Sequence, residues 1–513
     1  MAGNGKRPGA SMTALGPLTV VSNRLPVVMR PRGGSWKVEP GAGGLVAAMQ
    51  PILERQGGCW VGWPGVVEED GRGWAEGLQR AGERAGYALE PVTMNRAQYK
   101  GYYEGFSNSV IWPLFHGFAD RCSFEASDFE QYRSVNQRFA EATMRCVGGE
   151  GLVWVHDYQL FEVGQRLREL GHKGRLAHFL HISFPGMENY AKLPWRRELL
   201  RALLAYDLVG FQTARDVRNF VRCAETFGVG GVLRHEGGQA LLVAEDGRRV
   251  EAGAFPIGMD FEAFSERAAS AEVEERVRAL QDEIGAYRMF LGIDRLDYTK
   301  GLIHRLRAFE LMLERHPHLR EQVVFFQLVV PSRENVSEYR SLKREFDRVV
   351  GRINGRFSTS GWQPIRYLYN RVNPVELAAL YRLAVVALVT PLRDGMNLVA
   401  KEYCACQVDE NGALVLSEFA GAAAQLGEGA VLVNPYDRVA SADAMARAVQ
   451  MDEARRRTRM RAMRRIIATS DVYRWAERFL ERATEGPQPG EGFATPAQIS
   501  VVGQQVGPIS PQL

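Results

Sequence analysis

The stretch PLRDGMNLVAKEY, residues 391–403, follows the apolar, β-branched run VVALVT at 385–390. An uninterrupted run of that kind reads as a strand buried on both faces. The polar hinge of Asp394, Gly395 and Asn397 then leads into a helical pattern starting at about Met396 or Asn397 and carrying Lys401 and Glu402. Glycine gives the hinge conformational freedom, and a helix start offers free N–H groups and the positive end of a dipole to an anion. Glu402, about a turn farther on, suits a pair of ribose hydroxyls. The hinge thus reads as a holder for a phosphorylated sugar donor.

The same order of buried run, polar loop and amphipathic helix recurs along the chain. Candidate strands are LTVVSNR, GLVWVH, RLAHFLHI and LVGFQT in the first half, and RMFLGI, VVFFQLVV, PIRYLY, VVALVT, ALVLSE and AVLVNP in the second. Helical patterns such as WRRELLRALLAY, LIHRLRAFELMLERH and ELAALYRLA lie between them. Such alternation predicts an α/β protein with parallel sheets covered on both faces. A hairpin-like HEGGQALLVAEDGRR and a crossover AFPIGMDFEAF mark a boundary within 235–260. The expected organisation is an extension over 1–16, doubly wound Rossmann-like domains over 17–255 and 256–470, a helix over 471–484 crossing back to the first, and a tail over 485–513. Ligands of such sheets bind at the carboxyl ends of the strands, here in a cleft between the halves.

The 513 residues, 46% of them hydrophobic, suffice for two or three full-sized cores. With 64 basic and 60 acidic residues the charge is nearly balanced, which implies neither a nucleic-acid groove nor a membrane-surface patch. The basic stretch EARRRTRMRAMRRI, 453–466, reads as a solvated helix face. No apolar run approaches a membrane span and no signal-peptide core follows the N-terminus, so a cytoplasmic protein is expected. Cys59, Cys122, Cys146, Cys223, Cys404 and Cys406 lack zinc-ligand spacing and read as free thiols.

Polar residues cluster where strands end. Asn23 and Arg24 close the first strand, and Gly41, Gly43 and Gly44 open a helix, a combination suited to a phosphate but also to an ordinary turn. His156 and Asp157 end one strand and His181 another; each alone reads as a strand-end cap, and together they suggest a polar site. Arg295 and Lys300, five residues apart in GIDRLDYTKGL, can clamp a diphosphate or pair with Asp294 or Asp297; Arg333 follows another strand. No metal-ligand spacing, GxGxxG fingerprint, Walker motif or GxSxG elbow accompanies them, so no cofactor and no metal are expected.

These residues stand in strings that resemble the trehalose-6-phosphate synthase family over about residues 18–482: VVSNRLPV, GGLVAAM, WVGWPG, YYEGFSNSVIWPLFH, VWVHDYQL, FLHISFP, DLVGFQT, IDRLDYTKG, VVPSRENVSEY, GRINGRF, TPLRDGMNLVAKEY, VLSEFAGAA and LVNPYD. The resemblance implies a GT-B type fold and a retaining, metal-independent glucosyltransferase taking glucose from a nucleotide sugar, usually UDP-glucose, to glucose 6-phosphate. Carried over position by position, Arg24 and Arg333 would hold the acceptor phosphate, Tyr103, Trp112 and Trp63 would line the acceptor pocket, and Asp157 would bind acceptor hydroxyls. Gly43 and Gly44 would approach the donor diphosphate, His181 would contact the donor glucose, and Arg295 and Lys300 would neutralise the leaving diphosphate. Asp394, Gly395, Met396, Asn397, Leu398, Val399, Ala400, Lys401 and Glu402 would cradle donor glucose, phosphates and ribose, and Val372 matches a base contact. The implied catalytic set is Arg295, Lys300, Asp394 and His181.

Ser183 departs from the family's usual HIPFP, in a loop bordering the implied site. No DxDxT-type phosphatase motif is found, so another enzyme is expected to dephosphorylate the product. Sister activities, with ADP- or GDP-glucose as donor or glycerol 3-phosphate as acceptor, would keep the same phosphate residues. A silent regulatory subunit would be expected to lose clamp residues, yet Arg295, Lys300, Asp394 and Glu402 are all present. The sequence leaves open whether the chain forms a homo-oligomer.

Overall fold

The computed structural model describes residues 18–486 apart from 33–34, 42–43, 72, 148–150 and 334–335. The extension expected over 1–16, most of the expected tail, and Gly43 lie outside the described residues. The first half contains β1 (Leu18–Arg24), the hairpin β2 (Val27–Arg32) and β3 (Ser35–Pro40), then β4 (Cys59–Trp63), β5 (Ala88–Pro91), β6 (Leu152–His156), β7 (Leu176–Phe179), β8 (Leu208–Phe211), β9 (Gly230–Glu236), β10 (Gln239–Ala244) and β11 (Arg249–Ala254). All but the small hairpin form one sheet in the order β5-β4-β1-β6-β7-β8-β11-β10-β9, parallel except at the β9–β10–β11 end. The second half builds a parallel sheet from β12 (Arg288–Arg295), β13 (Val323–Val330), β14 (Ile365–Tyr369), β15 (Val386–Val389), β16 (Ala413–Ser417) and β17 (Val431–Val433), ordered β14-β13-β12-β15-β16-β17.

The central strands are buried along nearly their whole length, as apolar runs covered on both faces must be. Local chemistry starts and stops the covering helices. Asn373 accepts from the Glu376 N–H and Pro374 takes the first turn of helix Pro374–Leu383, where a missing N–H costs nothing. Asp471 caps helix Val472–Glu485 in the same way through the Arg474 N–H.

That last helix binds the halves together. Its Trp475 and Phe479 pack on Trp154 of β6 at ring distances of 5.3 and 4.4 Å, and its end holds the Arg175 side chain through the Ala483 carbonyl. One continuous apolar cluster therefore runs from β1 through Trp475 and Phe479 to the second sheet. Two further clusters cover the other face of each sheet.

The cysteine expectation needs correction. Cys59 opens β4 and Cys146 lies in the last turn of helix Ala126–Val147, which packs along that strand; the two form a disulfide with a Cα–Cα distance of 6.2 Å. Their 87-residue separation hides this proximity from the sequence. Cys122, Cys223, Cys404 and Cys406 are free. Among the described residues no helix is long and apolar enough to cross a membrane.

Beneath the second sheet's carboxyl edge, Arg305 is fully buried. Its guanidinium donates to Asp294 at 2.5 Å, to Gln327 at 3.1 Å and to Thr390 at 3.0 Å, tying β12, β13 and the end of β15 together. Asp294 thus takes Arg305, not Arg295 or Lys300, as its hydrogen-bonded cation. Arg305→Ala strands a buried carboxylate, and the urea midpoint should fall by the equivalent of about 3–5 kcal/mol. The double change Arg305→Met with Asp294→Asn should lose far less in the same titration.

Candidate active site

The carboxyl ends of both sheets face one gap. On the first side β1 delivers Asn23 and Arg24, β4 delivers Trp63, β6 delivers His156 and Asp157, and the turn after β7 delivers His181. On the second, β12 ends at Arg295, β13 leads to Arg333, β14 to Arg371 and Val372, and β15 to Asp394. A cavity of about 530 Å³ is walled by Asn23, Arg24, His156, Asp157 and His181 of the first half and Arg371 of the second, a volume suited to a small ligand. Leu45 and Val46, just inside the helix that begins at Gly44, border the same cavity.

Aromatic side chains carry the cations. Arg24 stacks over Trp63 at 4.9 Å, and the indole N–H of Trp63 is held by the Val66 carbonyl at 2.7 Å. Tyr99 packs between Trp63 and Tyr103 at 4.9 and 5.3 Å. Burial pushes its phenol up to about 12, and the charges of both Arg24 and Arg333 pull against that shift, so both guanidiniums lie within electrostatic reach of this ring. Trp112 is the second platform. Arg333 lies 4.7 Å and Arg295 5.8 Å from its ring, so two cations of the second half rest on one indole of the first.

These cations share a counter-charge. The Asp297 side chain is fully buried, 4.0 Å from Arg295, and accepts from Tyr339 at 3.3 Å while Tyr339 accepts from Arg333 at 2.6 Å. Burial alone would raise the Asp297 pKa, but Arg295, Arg333 and Lys300 outweigh it and hold the carboxyl below its ordinary value. Lys300 pairs with Asp394 at 2.5 Å, and Asn397 donates to the same carboxylate oxygen at 3.0 Å. Asp394 is likewise ionised: burial opposes this, and Lys300 overrides it.

The opening hinge presses directly on the first half. A Cβ on Gly395 would sit 2.2 Å from the His181 carbonyl oxygen, so only glycine fits there, and Arg393 donates to the Phe184 carbonyl at 3.1 Å. The helix starts at Leu398, one or two residues later than expected, because Asn397 takes a left-handed φ of 76°. Among the described residues five non-glycines have positive φ, and three of them, Asp157, Arg333 and Asn397, lie in the expected site, where strain concentrates in functional loops.

The expected residues are not all alike. Lys401 turns inward, where its ammonium donates to the Ile257 carbonyl and Gln425 at 2.7 Å each and burial lowers its pKa to about 7. Met396 and Ala400 are packed in the core beside it, with Leu398, Val399 and Val372 at its margin. Glu402 accepts from Tyr381 at 2.8 Å and burial raises its pKa. Ser183 is 1% exposed, so that departure sits in packed interior. Sequence reading missed Tyr99, Tyr158, Tyr339, Arg371 and His116; the last bonds the Trp112 carbonyl at 2.7 Å and lies within electrostatic reach of Asp394 and Lys300. Only the Tyr99–Tyr103 spacing in YKGYY hinted at any of them, since the rest depend on long-range packing. Among the described residues no three potential ligands converge on a metal position.

Two doubly wound sheets facing each other across a cation-lined gap define a glycosyltransferase of GT-B type. The chain belongs to glycosyltransferase family 20, whose family model matches residues 17–485. It is 43% identical to a trehalose-6-phosphate synthase of Mycolicibacterium paratuberculosis, across 92% of this chain and 96% of that one. It is 42% identical to a bifunctional trehalose-6-phosphate synthase/phosphatase of Thermoproteus tenax, across 90% of this chain and 63% of that one. Among solved structures it resembles a UDP-forming α,α-trehalose-phosphate synthase of Burkholderia xenovorans in complex with glucose-6-phosphate (TM-score 0.82, 38% identity, 91% and 100% coverage). An E. coli structure described as trehalose-6-phosphate bound with UDP-2-fluoro glucose gives TM-score 0.82 and 33% identity, covering 92% and 99%.

Asp157 provides a pH signature. Its carboxylate accepts from the His181 backbone N–H at 3.2 Å, yet burial pushes its pKa up to about 7. Between the unfolded value near 4 and that folded value the native state holds the extra proton, so stability falls as pH rises through this window. Asp157→Asn should melt higher than wild type above pH 7, with the difference fading toward pH 4; thermal unfolding across pH 4–8 reads this out.

Proposed function

We propose that this protein transfers glucose from UDP-glucose to glucose 6-phosphate, giving α,α-trehalose 6-phosphate and UDP with the anomeric configuration retained. The observation that carries the reading is the pair of guanidiniums, Arg295 and Arg333, on the single indole of Trp112. One phosphate group on Arg295 and Lys300 and another between Arg333 and Arg24 would both lie beside that ring. The complexes formed by the two related proteins, with glucose 6-phosphate and with a UDP-glucose analogue, support a sugar-phosphate acceptor and a nucleotide-sugar donor.

The chemistry follows from the side chains. The bond from the anomeric carbon to the diphosphate oxygen breaks, and the acceptor hydroxyl forms its new bond on the same face. The hydroxyl proton passes to the departing diphosphate oxygen. Asp394, held by Lys300 and Asn397, orients the donor sugar and forms no covalent intermediate. Arg295 and Lys300 neutralise the charge that grows on the diphosphate, so the scheme needs no metal ion. Val372 would meet the base, and a cytoplasmic location suits the phosphorylated substrates.

Purified protein should convert UDP-glucose and glucose 6-phosphate to a disaccharide phosphate whose NMR spectrum shows two α-anomeric protons. Product only from ADP- or GDP-glucose, or only with glycerol 3-phosphate, would reassign the substrates, and none from any pair would overturn the enzyme reading. Arg295→Ala or Lys300→Ala should lower kcat by about a hundredfold or more, as loss of a preorganised charge partner does; turnover near wild type would contradict the clamp.

A further inference from the structure

His156 and His181 stand side by side at the ends of neighbouring strands, with His156 Nδ1 3.2 Å from His181 Nε2. Burial lowers the pKa of both, His181 to about 3 and His156 well below its ordinary value, so both rings are neutral. Two neutral imidazoles share one proton across such a contact: one nitrogen donates and the other accepts. The remaining nitrogen of His156, Nε2, is buried without a protein partner. A buried N–H left unmade is costlier than a bare lone pair. The proton of His156 therefore belongs on Nδ1, where it donates to His181 Nε2. His181 must then carry its own proton on Nδ1, its one remaining polar ring atom.

His156 is held in place from behind. Its ring lies 4.6 Å from Trp154, two residues back on the same face of β6, and Trp154 stacks on Phe479 of helix Val472–Glu485. Trp475 of that helix also lies 6.2 Å from the His181 ring. The helix that crosses back over the first half thus buttresses the imidazole pair bordering the cavity.

We propose that His156 is a positioning residue that fixes His181 as a hydrogen-bond donor to one hydroxyl of the transferred glucose. This rests on the functional reading above and sets the donor sugar against His181, which borders the cavity and whose backbone meets Gly395 beside Asp394. No proton is transferred: the pair sets the polarity of one contact. His156→Phe keeps a ring of similar size and removes the donor, whereas His156→Asn returns an N–H in about the Nδ1 position.

The test uses UDP-glucose analogues each lacking one glucose hydroxyl, with glucose 6-phosphate as acceptor. Wild type should lose about tenfold or more in kcat/KM with one analogue in particular, and His181→Ala should erase that discrimination. His156→Phe should shrink the same penalty to about threefold, with the other analogues and the acceptor KM unchanged, and His156→Asn should restore most of it. An undiminished penalty in His156→Phe, or an equal loss across all analogues, would overturn the proposal. Nitrogen-15 shifts of labelled histidines read the tautomers independently of turnover: a proton on His181 Nδ1 is expected, and one on Nε2 would overturn the assignment even if the substrates proved to be others.

Discussion

Asp297 is the charge on which the site depends. Guanidiniums brought to one ring repel each other, and an indole offers each only a weak, screened attraction. A buried carboxylate, facing Arg295 directly and Arg333 through Tyr339, offsets that repulsion before any substrate arrives. Its burial keeps the attraction strong and fixes both side chains in place, which is the preorganisation that charge stabilisation in a transition state requires. The second pair, Lys300 with Asp394, works alike. Arg295 and Arg333 are thus held by an acid of their own half, while the indole they press against belongs to the first.

This division explains why the halves meet as closely as they do. Gly395 touches the His181 backbone, Trp112 supports Arg295 and Arg333, and the final helix packs Trp475 and Phe479 under β6. The π-helix Lys100–Ile111, which carries Tyr103 and leads directly into Trp112, belongs to the same region, and such irregular helical segments gather at functional sites.

The sequence shows the scaffold well and the wiring poorly. Strands β1 and β13 match the expected segments LTVVSNR and VVFFQLVV end to end, because a strand buried on both faces writes itself as a largely apolar, β-branched run. The hairpin β2–β3 carries polar alternation, and the Cys59–Cys146 pair depends on a helix docking 87 residues away, so neither announces itself locally. In the site, strand-end residues such as Arg24, Asp157, Arg295 and Asp394 were legible from position alone. Which cation pairs with which acid was not: Asp294 turned inward to Arg305, Asp297 became the shared counter-ion, and Lys401 left its helix face for the Ile257 carbonyl. Those choices are made by burial and by partners distant in sequence.

A crystal structure of the protein with UDP and glucose 6-phosphate bound together tests the two-phosphate arrangement most directly. The diphosphate is expected on Arg295 and Lys300 and the sugar phosphate between Arg24 and Arg333, with Trp112 beside both. Either phosphate bound away from these side chains, or Trp112 standing outside both, would contradict it.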